Sequence, residues 1–233
     1  MKTVASAEWG MTTDSGSGRV QKPRVLLLGI GNLLWADEGF GVRCVEALSR
    51  RYRFDTRVRL LDGGTQGIYL VNLLEGVVHL IMFDAIDYGL APGTLKLARN
   101  HEVPRFLGAK TMSLHQVGFQ DVLAMADLLG TLPPQMLLIG VQPERIEDYG
   151  GSLSPNITRM LEPALDQALA YLNAQGIRPL ADAEPGSRAE NDAEAQPHPA
   201  LAVTEYEQGR PSPTKAWRYG DARFLSPAEH PPR

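Results

Sequence analysis

The chain is poor in several features that would fix a function class early. It holds a single cysteine, Cys44, in 233 residues. That excludes an intrachain disulfide framework and fits a reducing compartment, so a cytoplasmic location is expected. It has no uninterrupted apolar run of about 18 residues, so no transmembrane helix is predicted. Its first 22 residues carry Glu8 and Asp14 where a signal peptide needs an apolar run. Positive charge is not in excess. The 23 Lys and Arg against 27 Asp and Glu give a net charge of −4, so neither nucleic acid nor a membrane is expected as a partner. The P-loop pattern and the G-x-S-x-G nucleophile elbow are both missing.

What is present is an ordinary globular composition, 43% hydrophobic and 21% charged, with one anomaly. Nine of the 17 prolines lie after Arg178. This divides the chain into a flexible leader (1–23), a core (24–177) and a Pro-rich tail (178–233). The tail spreads its apolar residues too thinly to offset its ordering entropy, so it is expected to be largely disordered. Its aromatic content, with Tyr206, Trp217, Tyr219 and Phe224, leaves open a short docking motif for a partner.

The core alternates strand and helix signals. Val25–Leu28 is a continuous apolar run ended by Gly-Ile-Gly, as in a strand buried on both faces. A helical stripe of Val42, Val45 and Leu48 follows within 38–52. A strand from Arg57 to Leu61 is closed by Asp62-Gly63-Gly64, and Thr65 is placed to cap a helix to about Glu75. Val77 to Phe83 predicts a third strand, ending at Asp84, and Gly93 to Leu97 a shorter one. Ser113-Leu114-His115-Gln116 reads as a capping box opening a helix to about Leu129. Met136 to Val141 is another buried strand, and Ser154-Pro155 opens a last helix to about Gln175. The order predicts an α/β fold, a three-layer αβα sandwich with a mostly parallel, mixed central sheet.

Ligands in such folds bind beyond the carboxyl ends of the strands. The polar residues there are Asn32, Asp37 and Glu38, then Asp62 with Gly63 and Gly64, then Asp84 and Asp87, and then Gln142 and Glu144. Gly29-Ile30-Gly31 suggests a dinucleotide turn, but Leu34 stands where the third glycine belongs, and Leu33 and Trp35 are bulky. A divalent metal prefers carboxylate oxygen and imidazole nitrogen. Glu38, Asp84 and His115 offer two carboxylates and one imidazole from three strand ends. His115 in a first helical turn would be kept neutral by the macrodipole. The plainer alternatives are a first-turn polar histidine and a dipole-favoured Glu38. Asp84, closing an apolar strand, needs pairing or coordination. Cys44 reads as a small buried hydrophobe.

The runs Gly29-Ile-Gly-Asn-Leu-Leu-Trp-Ala-Asp-Glu-Gly-Phe-Gly41, Leu61-Asp-Gly-Gly-Thr65, Phe83-Asp-Ala-Ile86 and Met112-Ser-Leu-His-Gln-Val-Gly118 together resemble the nickel–iron hydrogenase maturation endopeptidases. The resemblance covers about residues 24–177. It implies an enzyme that clips the carboxy-terminal extension from the hydrogenase large-subunit precursor after nickel insertion. It also implies a metal-recognition set at Glu38, Asp84 and His115, where family members often have proline in place of Leu114. Nickel would then belong to the substrate and be met transiently, with cadmium or another divalent ion taking its place in vitro. The Asp62 loop is the candidate catalytic and substrate-binding stretch, with Asp62 as the catalytic carboxyl and Gly63, Gly64 and Thr65 against the peptide. Asp62 as a plain helix cap stays open. The leader and the 56-residue tail extend beyond the usual family length, and a monomer is expected. The rival readings are a non-cleaving, nickel-sensing chaperone of the large subunit and a nucleotide-binding enzyme.

Overall fold

The computed structural model describes residues 24–104, 118–146, 148–180 and 195–209. Its strands are β1 (Val25–Ile30), β2 (Val58–Gly64), β3 (His79–Ala85), β4 (Leu95–Arg99) and β5 (Gln135–Val141). Its α-helices are α1 (Phe40–Arg51), α2 (Phe119–Leu128), α3 (Pro155–Thr158), α4 (Leu161–Ala174) and α5 (Val203–Gly209). The strands form one sheet in the order β2-β1-β3-β5-β4, parallel except for β4.

Alternation along the strands divides the core in two. Val25, Leu27, Val58, Leu60, Ile81 and Phe83 pack under α1 and α4. Leu26, Leu28, Leu61, Leu80 and Met82 pack under α2 and the 3-10 segment Gly67–Leu74. Both sheet faces are therefore covered, which explains the near-continuous apolar strands. The three-layer αβα sandwich is the fold expected from the sequence.

Four local expectations change. Asp62, Gly63 and Gly64 belong to β2 itself and do not form a turn after it. The register with β1 shifts between Gly29 and Ile30, and Gly63 is the extra residue of that bulge. The expected Thr65-capped α-helix is a 3-10 segment, and Thr65 does not cap it. In the tighter winding Leu70, Val71 and Leu74 reach the core. The helix opened by Pro155 breaks after Thr158 and restarts at Leu161. Pro163 lies in the restarted first turn, where it has no N–H for the Arg159 carbonyl. Ser154 precedes Pro155 but makes no side-chain cap, because its hydroxyl is taken by Asp37.

The fourth change is in the tail. Residues 195–209, expected to be disordered, form a 3-10 turn at Pro199–Leu201 followed by α5, and Ala195 and Tyr206 are buried. The capping box Ser113–Gln116 lies outside the described residues, and α2 opens at Phe119 behind Gly118.

One close approach fixes how α1 meets the sheet. A Cβ on Gly41 would lie 2.1 Å from the Phe83 carbonyl oxygen and 2.3 Å from that of Ile30. Alanine there must push the first turn of α1 off the ends of β1 and β3. Gly41→Ala is expected to lower stability by about 1–3 kcal/mol, read as a fall in the urea midpoint at unchanged slope.

Candidate functional site at the carboxyl edge of the sheet

β1 ends in a loop that turns back on itself. Asn32 Oδ1 accepts the Leu34 N–H at 3.0 Å, Ala36 takes a left-handed φ of 44°, and Ala36–Gly39 forms a 3-10 turn leading into α1. Gly31 permits this. A Cβ there would lie 1.8 Å from the Glu38 carbonyl oxygen, and its φ is 131°. A Cβ on Gly29 would lie 2.4 Å from the Gly41 carbonyl oxygen. These glycines therefore serve the approach of the chain to itself, and the room a pyrophosphate needs against the turn is filled by α1.

The turn is held by Asp37, which is fully buried. Its Oδ1 accepts the Ser154 N–H at 2.6 Å. Its Oδ2 accepts the N–H groups of Glu144 (3.0 Å) and Arg145 (2.7 Å) and the Ser154 hydroxyl (3.1 Å). The Asp37 N–H donates to the Arg145 carbonyl at 3.0 Å, and the Gly150 N–H donates to that of Leu34 at 2.7 Å. Trp35 and Tyr149 cross as a β-bridge, their rings edge to face at 5.3 Å. The loop after β5 is thus closed onto the loop after β1. Among the polar residues of the strand ends, no local signal in the chain marks Asp37 as the structural one.

Glu38 follows Asp37 in the same turn and is buried. That turn packs on β3, where Asp84 is buried within the strand. By alternation Asp84 lies on the side of Leu80 and Met82, the α2 side. Tyr88 packs on the same side, its hydroxyl over Gly140, where a Cβ would come within 2.6 Å of it. Gly140 is the register partner of Asp84. Burial, then the negative charge of Asp84, push the Tyr88 hydroxyl well above its ordinary range. Lys96 Nζ lies 5.2 Å from the Tyr88 ring centre. Gln142 holds this loop, its Oε1 accepting the N–H groups of Tyr88 (2.7 Å) and Leu90 (3.1 Å), while its Nε2 donates to Asp87 at 2.9 Å. That bond and the Gly89 N–H hold the Asp87 carboxyl below its ordinary value.

Asp62 sits on the other face. It shares its side of β2 with Val58 and Leu60, under α1. Burial pushes its carboxyl up to about 6; the Gly64 N–H opposes this, Glu46 adds to it and Arg43 opposes it. Gly63 faces the α2 side, where a Cβ would meet Leu28 at 2.6 Å. Gly64 has φ 46° and its carbonyl accepts the Gly31 N–H at 3.0 Å. Thr65 is exposed, with Ile68 and Tyr69 exposed after it.

The sequence-derived set is therefore divided. Glu38 and Asp84 come from elements in contact at one edge, and Asp62 flanks that edge from the α1 side. His115 lies outside the described residues. Among the described residues there is no group of three or more His, Cys, Asp or Glu that could hold a metal ion. Among them, too, no helix is long and apolar enough to cross a membrane.

Comparison with known proteins gives a consistent answer. The family model described as hydrogenase maturation protease matches residues 42–171. The hydrogenase expression/formation protein HoxM of Azotobacter vinelandii is 59% identical over 203 residues, 87% of this chain and 95% of its own. The hydrogenase 2 maturation protease of Escherichia coli is 44% identical over 158 residues, 67% of this chain and 95% of its own. Among solved structures, the hydrogenase maturating endopeptidase HybD of E. coli is 42% identical with a TM-score of 0.64. That match covers 69% of this chain and 99% of the endopeptidase. The tail is thus not foreign to all relatives. Even counted from Met1, a match of 203 residues reaches Val203.

Proposed function

This chain belongs to the hydrogenase maturation protease family, and we propose that it removes the carboxy-terminal extension of a nickel–iron hydrogenase large-subunit precursor after nickel insertion. Nickel belongs to the substrate in this reading and is met transiently. Cadmium or another divalent ion takes its place in vitro. Glu38, Asp84 and His115 supply two carboxylates and an imidazole, a donor set suited to such ions, and the precursor supplies the remaining ligands. Gly63, Gly64 and Thr65 receive the extended peptide, with Ile68 and Tyr69 as apolar surface beside it.

Hydrolysis adds water across one peptide bond. The water oxygen joins the carbonyl carbon, the C–N bond breaks, and the departing amine gains a proton. Asp62 takes the proton from water and returns it to the amine. A carboxyl pushed up to about 6 exchanges protons near neutral pH, as general acid–base work requires. What supports the reading is that Glu38 and Asp84, both buried, come from elements in contact at one sheet edge.

The test is incubation of the full chain with precursor, loaded with nickel or empty, followed by mass spectrometry of the large subunit. Shortening of the loaded precursor alone is expected. His115→Ala is expected to keep the fold and stop processing of the loaded precursor. A large subunit that is bound but never shortened would instead favour the non-cleaving chaperone.

A further inference from the structure

The segment 195–209 runs along α1 and reaches the loop after β5. Near the far end of α1, Gln196 Nε2 donates to Ser49 Oγ at 3.5 Å. Nearer the site, Arg43 Nη1 donates both to the Leu201 carbonyl and to Glu46 Oε2, each at 2.7 Å. The Val203 N–H donates to Glu46 Oε1 at 3.3 Å, and Arg50 Nη2 lies 2.6 Å from the same oxygen. The Tyr206 ring lies 5.7 Å from the Arg43 guanidinium, and its hydroxyl donates to the Gly151 carbonyl at 3.2 Å. Gly151 is in the loop that Asp37 closes.

This is a costly way to dock a tail. An Arg43–Glu46 pair whose side chains are 7% and 2% exposed has given up its hydration, and apolar surface would serve docking as well or better. The pair's place suggests why it is kept. Asp62 shares the α1 side of β2 and is the register partner of Gly29, over which the first turn of α1 passes. The charges that act on Asp62 are those of Glu46 and Arg43 of α1; its own strand presents the Gly64 N–H, and β1 presents Gly29.

We propose that residues 195–209 are a working strap of the site, which locks Arg43 and Glu46 in one arrangement and so fixes the charges that Asp62 meets. Arg43, Val203 and Tyr206 are positioning residues. The proposal rests on the reading of Asp62 as the acid–base group only for its effect on cleavage. The match to the A. vinelandii protein reaches at least Val203, whereas the E. coli endopeptidase is 99% covered by 69% of this chain, about the length of the core alone.

The experiment follows the Asp62 carboxyl by NMR titration in the full chain, alongside the pH profile of precursor cleavage. Val203→Pro is the mild variant. Proline is accepted at the first position of a helix, Ala202 already has the extended backbone (φ −57°, ψ 144°) that a following proline requires, and only the N–H to Glu46 is lost. Val203→Pro and Tyr206→Ala should admit water and free both charges, lowering the Asp62 midpoint by about half a pH unit or more. Arg43→Gln should raise it by a similar amount, since the cation is removed and Glu46 remains. Shifts of opposite sign support the strap. An unmoved midpoint in Val203→Pro and Tyr206→Ala, or shifts of one sign in all three variants, overturns it. Should Arg43→Gln fail to fold, the two strap variants decide alone. A midpoint that moves while the cleavage profile stays put upholds the strap and removes Asp62 from the chemistry.

Discussion

Asp62→Asn is expected to slow precursor cleavage by orders of magnitude while making the protein more stable at neutral pH. The two effects share one cause. The Asp62 carboxyl is pushed up to about 6 from an ordinary 3.8, chiefly by burial. Below about pH 4 the group is protonated in both folded and unfolded chains and costs nothing. Between the two values the folded chain holds more protons than the unfolded one, so stability falls as pH rises through that window. Above about 6 both forms are ionised, and the folded state carries the full cost of a desolvated carboxylate. At ~1.4 kcal/mol per pH unit this is on the order of 2–3 kcal/mol. Asparagine removes the charge and keeps an oxygen for the Gly64 N–H. Urea unfolding should therefore show the variant more stable by roughly 2 kcal/mol at pH 7.5, with the gap closing towards pH 4. Loss of an acid–base group should lower the cleavage rate by about 10²–10⁴-fold. A variant that gains the stability and still cleaves at the parental rate would leave Asp62 as a buried cost with no part in the reaction.

How much of this the sequence discloses depends on the range of the interactions. The sheet is legible because Val25–Leu28 and Met136–Val141 are buried on both faces, and a short, continuous apolar run between turn residues fits a buried strand better than a helix with one wet side. The edge location of Glu38, Asp62 and Asp84 follows, since each closes or follows a strand. Which face each takes does not follow so directly. The parity of β2 sends Asp62 towards α1 and that of β3 sends Asp84 towards α2, and that parity is known only once the strands are packed. The role of Asp37 is hidden for a different reason. Its partners, Glu144, Arg145 and Ser154, are more than 100 positions away, and nothing local distinguishes Asp37 from its neighbour Glu38. The strap is illegible because its composition is that of a solvated tail. It is held by backbone groups, Leu201 C=O and Val203 N–H, and by one aromatic ring on a buried guanidinium, contacts that hydropathy does not register. The break at Arg159, by contrast, is written in the chain as Pro163.

Asp37→Ala should be among the most destabilising single substitutions in the chain. One buried carboxylate accepts four hydrogen bonds, three from backbone N–H groups and one from the Ser154 hydroxyl. Without it, the buried Ser154 N–H and the part-buried N–H groups of Glu144 and Arg145 lose their acceptor, and each buried donor left unmade costs about 1–3 kcal/mol. Relaxation of the 142–154 loop recovers part of this, so a net loss of about 3–5 kcal/mol is expected. For a domain of this size that lowers the melting temperature by roughly 10 °C. The isostere discriminates between lost volume and lost acceptors. Asp37→Asn keeps Oδ1 for the Ser154 N–H but turns an amide donor towards the N–H groups of Glu144 and Arg145, so it should fail nearly as badly as alanine. Ser154→Ala removes only the 3.1 Å hydroxyl bond and should cost about 1 kcal/mol. The loss extends to function, because the clamp holds the left-handed Ala36 and the turn that carries Glu38 onto β3. Cleavage by Asp37→Asn, measured well below its melting temperature, should be impaired beyond the fraction unfolded. An Asp37→Asn protein as stable as the parent would mean that the loops after β1 and β5 are held together by the Trp35–Tyr149 bridge and the backbone bonds alone.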